Sequence, residues 1–349
     1  MFALLPALAA TLALGAGAGW VASLLHSPLP WMIGPMLAVA AARVLGARLV
    51  SPRGGRQAGQ WLIGTTLGLY FSPTVLRTLS GHGGAIAASL AFALALGGVG
   101  ALVLRRVAGC DWRTAFFASV PGGATEMAVL AGRSGAAADQ VALAHALRMV
   151  AVVLILPFAM TLAGAHGADP YQPVARDVAP LGLLAMLGLA AGSSALLARL
   201  RVPNAWMLGS LLATIALAAT DAAPSAMPHW LTNSGQVLVG CSLGERFDRD
   251  SLRRTPRFAL AVLASVALAI SLSALFAWLL AQPAGIAAPT AILATAPGGI
   301  AEMCLTARVL QLGVPLVTAF HVLRVAAIMV LAPMALPGLR LLERAPARD

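Results

Sequence analysis

Two stretches of the chain share an arrangement that an apolar sequence has little reason to contain. Residues 119–131 read SVPGGATEMAVLA, and residues 295–307 read TAPGGIAEMCLTA. In each, Pro-Gly-Gly interrupts an apolar run and a glutamate follows three positions later. The first set is Pro121, Gly122, Gly123 and Glu126; the second is Pro297, Gly298, Gly299 and Glu302. Of the 12 acidic residues, only Glu126 and Glu302 lie inside apolar segments, away from their first and last residues. A helix that restarts after such a break begins with free N–H groups and a partial positive charge, which stabilises a glutamate in its first turn. An ionisable group inside lipid is also costly enough that function is its default reading.

A second pair of motifs follows each break. His145 and Arg148, and again His321 and Arg324, are three residues apart and so share one helix face. At ~1.5 Å per residue, Arg148 falls roughly 10–15 Å inside the membrane, too deep to reach water easily. It needs a partner, and Glu126 is the expected one, as Glu302 is for Arg324. Such a pair could hold the broken segment in place permanently. Alternatively it opens during a cycle, with the arginine receiving an anion and the glutamate or histidine taking up a proton; histidine titrates nearest physiological pH. These twelve residues form the expected substrate- and ion-binding set. No catalytic residue, metal or cofactor is expected: Cys110, Cys241 and Cys304 are widely spaced and form no CxxC.

The elements that must position these residues are set by composition. The chain has 349 residues, 60% hydrophobic and only 10% charged, with a mean hydropathy of +0.88. Soluble domains carry about 25% charged residues. Apolar runs of roughly 20 residues recur along the whole length, each able to cross ~30 Å of hydrocarbon. The runs are continuous rather than alternating, which selects helices over a β-barrel. The expected class is therefore an all-α polytopic membrane protein. The net charge is +11 and every basic residue is arginine. That charge lies in short loops, where it sets orientation in the membrane rather than binding nucleic acid. Residues 1–25 read as a retained first span rather than a signal peptide, because the chain contains a counterpart to them.

That counterpart belongs to a tandem duplication. PLPWMIGPML (28–37) matches PNAWMLGSLL (203–212), and GQWLIGTTLG (59–68) matches GQVLVGCSLG (235–244). VALAHALRMV (141–150) matches VTAFHVLRVA (317–326). The expected organisation is a first membrane repeat over 1–165, a linker over 166–177 and a second repeat over 178–349. Each copy shows six apolar segments. In the first they run roughly over 2–25, 29–47, 57–71, 84–104, 114–131 and 138–163. The GQxLxGxxLG pattern spaces glycines four apart on one face, which favours close helix contact over substrate binding. Gln60 and Gln236 could still face a cavity.

Arginine placement differs between the copies. In the first, the loops after segments two and four are basic (Arg43, Arg48, Arg53, Arg56; Arg105, Arg106, Arg113). In the second, the basic loop follows the third segment (Arg246, Arg249, Arg253, Arg254, Arg257). Corresponding loops then lie on opposite sides, and the repeats are inverted. Inversion needs an odd number of crossings per half. We therefore expect each repeat to have about five crossings plus one re-entrant segment, the one broken by Pro-Gly-Gly. This topology leaves Arg77, Arg176 and Arg308 outside, Arg148 and Arg324 within spans, and both termini cytoplasmic.

The duplicated PGGxxEM unit, the downstream H-x-x-R and the WM[IL]G segment resemble the AbrB-duplication family of bacterial inner-membrane proteins. That family shares only a name with the small DNA-binding AbrB of spore formers. The resemblance covers nearly the whole chain and implies a bacterial inner-membrane location. Its members carry labels of ammonia monooxygenase or of a regulator of gene expression, and it carries over no catalytic residues.

The residues themselves point to a secondary transporter of a small anionic, carboxylate-type solute, coupled to H⁺ or Na⁺. No Walker A sequence is present to use ATP. The alternative is a membrane sensor or regulator with an indirect effect on gene expression. A monooxygenase is the remote third, because the His and Glu spacing does not make a helical ligand pair. The expected partners are the lipid bilayer and the solute, with no nucleic acid; a homo-oligomer stays open.

Overall fold

The computed structural model describes residues 4–167, 171–175, 177–247 and 255–334, and among these the regular structure is entirely helical. Lipid offers the backbone no hydrogen bonds, so spanning segments must satisfy their own, as helices do. The first half contains α1 (Leu4–Leu24), α2 (Pro30–Val44), α3 (Gly55–Gly68), α4 (Pro73–Ser80), α5 (Gly83–Ala108), α6 (Trp112–Ser119), α7 (Ala124–Arg133) and α8 (Ala138–Leu162). The second contains α9 (Pro180–Arg199), α10 (Ala205–Ala219), α11 (His229–Gly244), α12 (Pro256–Ala284), α13 (Ala288–Thr295), α14 (Ile300–Val309) and α15 (Val314–Met334). Lengths repeat between halves: α2 and α10 have 15 residues each, α6 and α13 have 8, and α7 and α14 have 10.

Among the described residues, six helices are long and apolar enough to cross a membrane: α1, α5, α8, α9, α12 and α15. The other segments expected to cross unbroken, α2, α3, α10 and α11, have 14 to 16 residues. At ~1.5 Å per residue they reach roughly 21–24 Å, short of the ~30 Å hydrocarbon thickness. Each segment expected to be broken is two short helices, α6 and α7 or α13 and α14, with the Pro-Gly-Gly residues between them. The expected cytoplasmic termini, Arg176, Arg249, Arg253 and Arg254 lie outside the described residues.

The helices gather into two compact units, and each unit takes helices from both halves of the chain. The first contains α1–α4, α9–α11, α14, the end of α8 and the start of α15. Here α3 packs on α10, and α11 packs on α2. The glycines of GQxLxGxxLG make these contacts. A Cβ on Gly64 would lie 2.7 Å from the Met207 carbonyl oxygen, and one on Gly240 would lie 2.5 Å from that of Met32. Gly68 and Gly244 repeat the contact one turn on, against the carbonyls of Leu211 and Met36. The third helix of each half thus packs on the second helix of the other half, and small-xxx-small spacing is what lets the backbones approach. Leu29 and Asn204, the residues before α2 and α10, both adopt left-handed backbone (φ 49° and 55°). Asparagine tolerates this conformation better than leucine. The same geometry therefore stands before α2 and before α10 although the residue types differ.

The second unit contains α5, α6, α7, α12, α13, the first part of α8 and the later part of α15. α5 packs against α6 and α12, and α12 against α13. Phe92 on α5 stacks on Phe276 of α12, with ring centroids 4.1 Å apart. Asp111 caps α6 by accepting from the Thr114 N–H at 2.8 Å, which sets where the first broken segment begins.

Candidate functional site

The break starts with proline. A residue before proline is driven to extended backbone, and Val120 (ψ 130°) and Ala296 (ψ 146°) are both extended. Proline also lacks an N–H. In a continuous helix the N–H of residue 121 would bond the carbonyl of Phe117, and that of residue 297 the carbonyl of Leu293. Both carbonyls are instead bonded by histidine. His145 Nε2 donates to Phe117 O at 2.9 Å, and His321 Nε2 donates to Leu293 O at 2.9 Å. The H-x-x-R motif therefore repairs the hydrogen bond that the proline removes.

The arginines serve the next carbonyls. Arg148 Nη1 donates to the carbonyl oxygens of Ser119 at 3.1 Å and Val120 at 3.2 Å. Its Nη2 donates to His145 Nδ1 at 2.8 Å. Arg324 donates to the carbonyls of Ala296 and Gly298. Arginine has only donors, so Nδ1 of His145 is an acceptor and the imidazole is neutral, with its hydrogen on Nε2. All four side chains are buried. A carbonyl buried without a partner is costly, and six carbonyls at the breaks are satisfied by two pairs of side chains.

The glutamates differ from the sequence expectation. Glu126 is not a partner of Arg148, whose bonds go to the broken backbone and to His145. Glu126 turns back over the start of its own helix, so that a Cβ on Gly123 would lie 2.1 Å from its Oε2. Gly123 is the N-cap of α7, which makes Glu126 the third helical residue, the position of a capping-box glutamate. The physical reason is local: the restarted helix attracts the carboxylate, and the interrupted one attracts the guanidinium. Glu302 is buried in the first unit. The charges acting on it are Arg56, at the start of α3, and Arg246, just after α11.

Of the expected set, Pro121, Arg148 and Pro297 line one small cavity in the second unit, together with Ser119 and Ser265. Its volume is about 20 Å³, enough for a water molecule. Ser119 Oγ and Arg148 Nε are buried with no hydrogen-bond partner. Gly122, Gly123, Glu126 and His145, with Gly298, Gly299, His321 and Arg324, lie around the two breaks in the same unit without lining the cavity, and Glu302 lies in the other unit. Sequence reasoning missed Ser119 and Ser265, which carry no motif. It also missed the carbonyls that receive the histidines, although the separation of 28 residues is the same in both copies.

Fold and site together define a polytopic helical membrane protein whose two interrupted helices are held by buried His–Arg pairs. The chain belongs to the family described as "Transition state regulatory protein AbrB", whose model matches residues 31–340. It is similar to "Uncharacterized protein YhjN" of Bacillus subtilis (strain 168), with 28% identity over 95% of this chain and 92% of the relative. It is also similar to "Putative regulator AbrB" of Escherichia coli (strain K12), with 28% identity over 88% of this chain and 89% of the relative. No solved structure matches the chain.

Proposed function

We propose that the protein is a secondary transporter of a small carboxylate-type anion in the bacterial inner membrane, coupled to H⁺ or Na⁺. In this reading the two repeats are inverted, each with about five crossings and one re-entrant segment, and both termini are cytoplasmic. The observation that carries it is the cavity where Pro121 and Pro297 meet the Arg148 side chain. Interrupted helices around a buried polar site are a recurring part of secondary transporters. No carboxylate is among the residues lining the cavity, so the guanidinium there favours an anion. The cavity holds no organic solute at its present size, and the breaks must part to admit one. With His145 held neutral by Arg148, the coupling proton falls to Glu126 and Glu302.

The test is flux in proteoliposomes under an imposed pH or Na⁺ gradient, with a panel of labelled small carboxylates. Uptake absent from protein-free vesicles is expected for at least one. Unchanged gradient-driven flux in the double variant Glu126→Gln, Glu302→Gln would remove the coupling role of both. The name of the Escherichia coli relative favours a second reading, a membrane sensor that affects gene expression indirectly. Saturable binding of a carboxylate with no flux of any of the panel would select that reading.

A further inference from the structure

The first unit contains a much larger cavity than the one at the breaks, about 720 Å³, within the ~300–1,000 Å³ range of small-molecule sites. His229, Asn233 and Gln236 line it from α11, at the spacing of one helix face. Thr66 and Tyr70 line it from α3 and its end, and Arg308 from the last turn of α14. Helix packing does not account for this lining. The glycines carry the contacts between α3, α10 and α11, whereas the polar side chains face the cavity.

The two amides define what the cavity can hold. Gln236 Nε2 donates to Asn233 Oδ1 at 3.4 Å, which leaves the Gln236 carbonyl oxygen and the Asn233 amide hydrogens for a ligand. Gln236 is 7% exposed, so this lining residue is largely shielded from bulk solvent. Its counterpart in the first repeat is Gln60, whose Nε2 is already engaged by Asn204 Oδ1 at 2.8 Å. Arg308 has a glycine, Gly132, as its counterpart. The site therefore belongs to one repeat only and is not a by-product of the duplication. Its ionisable lining residues are Arg308, His229 and Tyr70, with no carboxylate among them. A cation recognises a carboxylate, and adjacent amides offering both donor and acceptor recognise hydroxyl groups.

We propose that this cavity binds a small hydroxylated organic acid, with Arg308 on its carboxylate and Asn233 and Gln236 on its hydroxyls. Leu305, Val309 and Gln311 complete the wall on the side of α14, and Glu302 is not among the lining residues. The site stands independently of the transport reading.

The test is calorimetric titration of the full chain in nanodiscs with gluconate, and separately with inorganic phosphate. Gluconate should bind saturably, and about tenfold or more weakly in Arg308→Gln. Asn233→Ala, at a half-buried position, should weaken gluconate in the same direction. Ser271→Ala, at an exposed position of α12 in the other unit, should leave it within about twofold. Absence of gluconate binding, equal affinity in Arg308→Gln, or phosphate binding as tightly as gluconate would each overturn the proposal. Gluconate binding without flux of any carboxylate would remove the transport reading and leave this site standing; flux without gluconate binding would do the reverse.

Discussion

His145 stands in for the amide hydrogen that Pro121 lacks. Its Nε2 donates to the Phe117 carbonyl, which a non-proline residue 121 in a continuous helix would have bonded. Removing the imidazole leaves that carbonyl unpaired and releases Arg148 from one acceptor. His145→Ala should therefore lower stability by about 1–3 kcal/mol. In a Pro121→Ala background, where an N–H is restored, the cost should be smaller. A double-mutant cycle on thermal unfolding in detergent measures this coupling; strict additivity would show that the two residues are independent.

Arg148 serves two carbonyls and one imidazole with a planar fork of donors. Lysine keeps the charge and offers a single point of donation. Arg148→Lys should cost about 1–3 kcal/mol through carbonyls left unpaired, and Arg324→Lys should behave alike. Unfolding midpoints equal to wild type in both variants would mean that charge alone suffices.

Glu126 acts on its own helix start. Glutamine can occupy the same capping-box position, so Glu126→Gln should be close to neutral for stability. Glu126→Ala should cost on the order of 1 kcal/mol. A large loss in Glu126→Gln, read by the same unfolding measurement, would argue that the negative charge has a partner beyond the helix start.

Two glycines separate packing from sequence pattern. A Cβ on Gly59 would lie 2.6 Å from the Gly235 carbonyl oxygen, whereas one on Gly188 meets nothing within 4 Å. Gly59→Ala should destabilise by about 1–3 kcal/mol. Gly188→Ala should be neutral or slightly stabilising, since alanine favours a helix. Comparable unfolding midpoints for the two would contradict the close approach of α3 and α11.

Cys110 reports topology directly. It lies between α5 and α6, whereas Cys241 and Cys304 are buried. Burial, with Asp111 adding to it, raises its thiol above the ordinary value. Thiolate is the reactive form, so alkylation should be slow at neutral pH and accelerate as pH rises. A membrane-impermeant maleimide should label Cys110 in inverted vesicles and not in intact cells. Labelling from the outside would overturn the proposed orientation.

Much of this protein is legible in its sequence. The apolar run lengths determine a helical membrane protein, and the repeated motifs determine the duplicated helix order. Pro-Gly-Gly marks the two interruptions, because a proline without an N–H and two glycines cannot continue an apolar helix. The GQxLxGxxLG spacing announces close helix contact. The partner of Arg148 was not legible. A carboxylate nearby in sequence looked like the obvious match, whereas the groups in need were backbone carbonyls, which every residue carries and no motif identifies. Only the tertiary structure brings α8 against α6 so that His145 and Arg148 reach them. It also decides which helices the glycines meet, since a small-residue face specifies a close approach without naming the helix that approaches. The same holds for the cavity of Asn233, Gln236 and Arg308. Its walls come from segments far apart in the chain, and their polar faces converge only when those segments pack in the first unit.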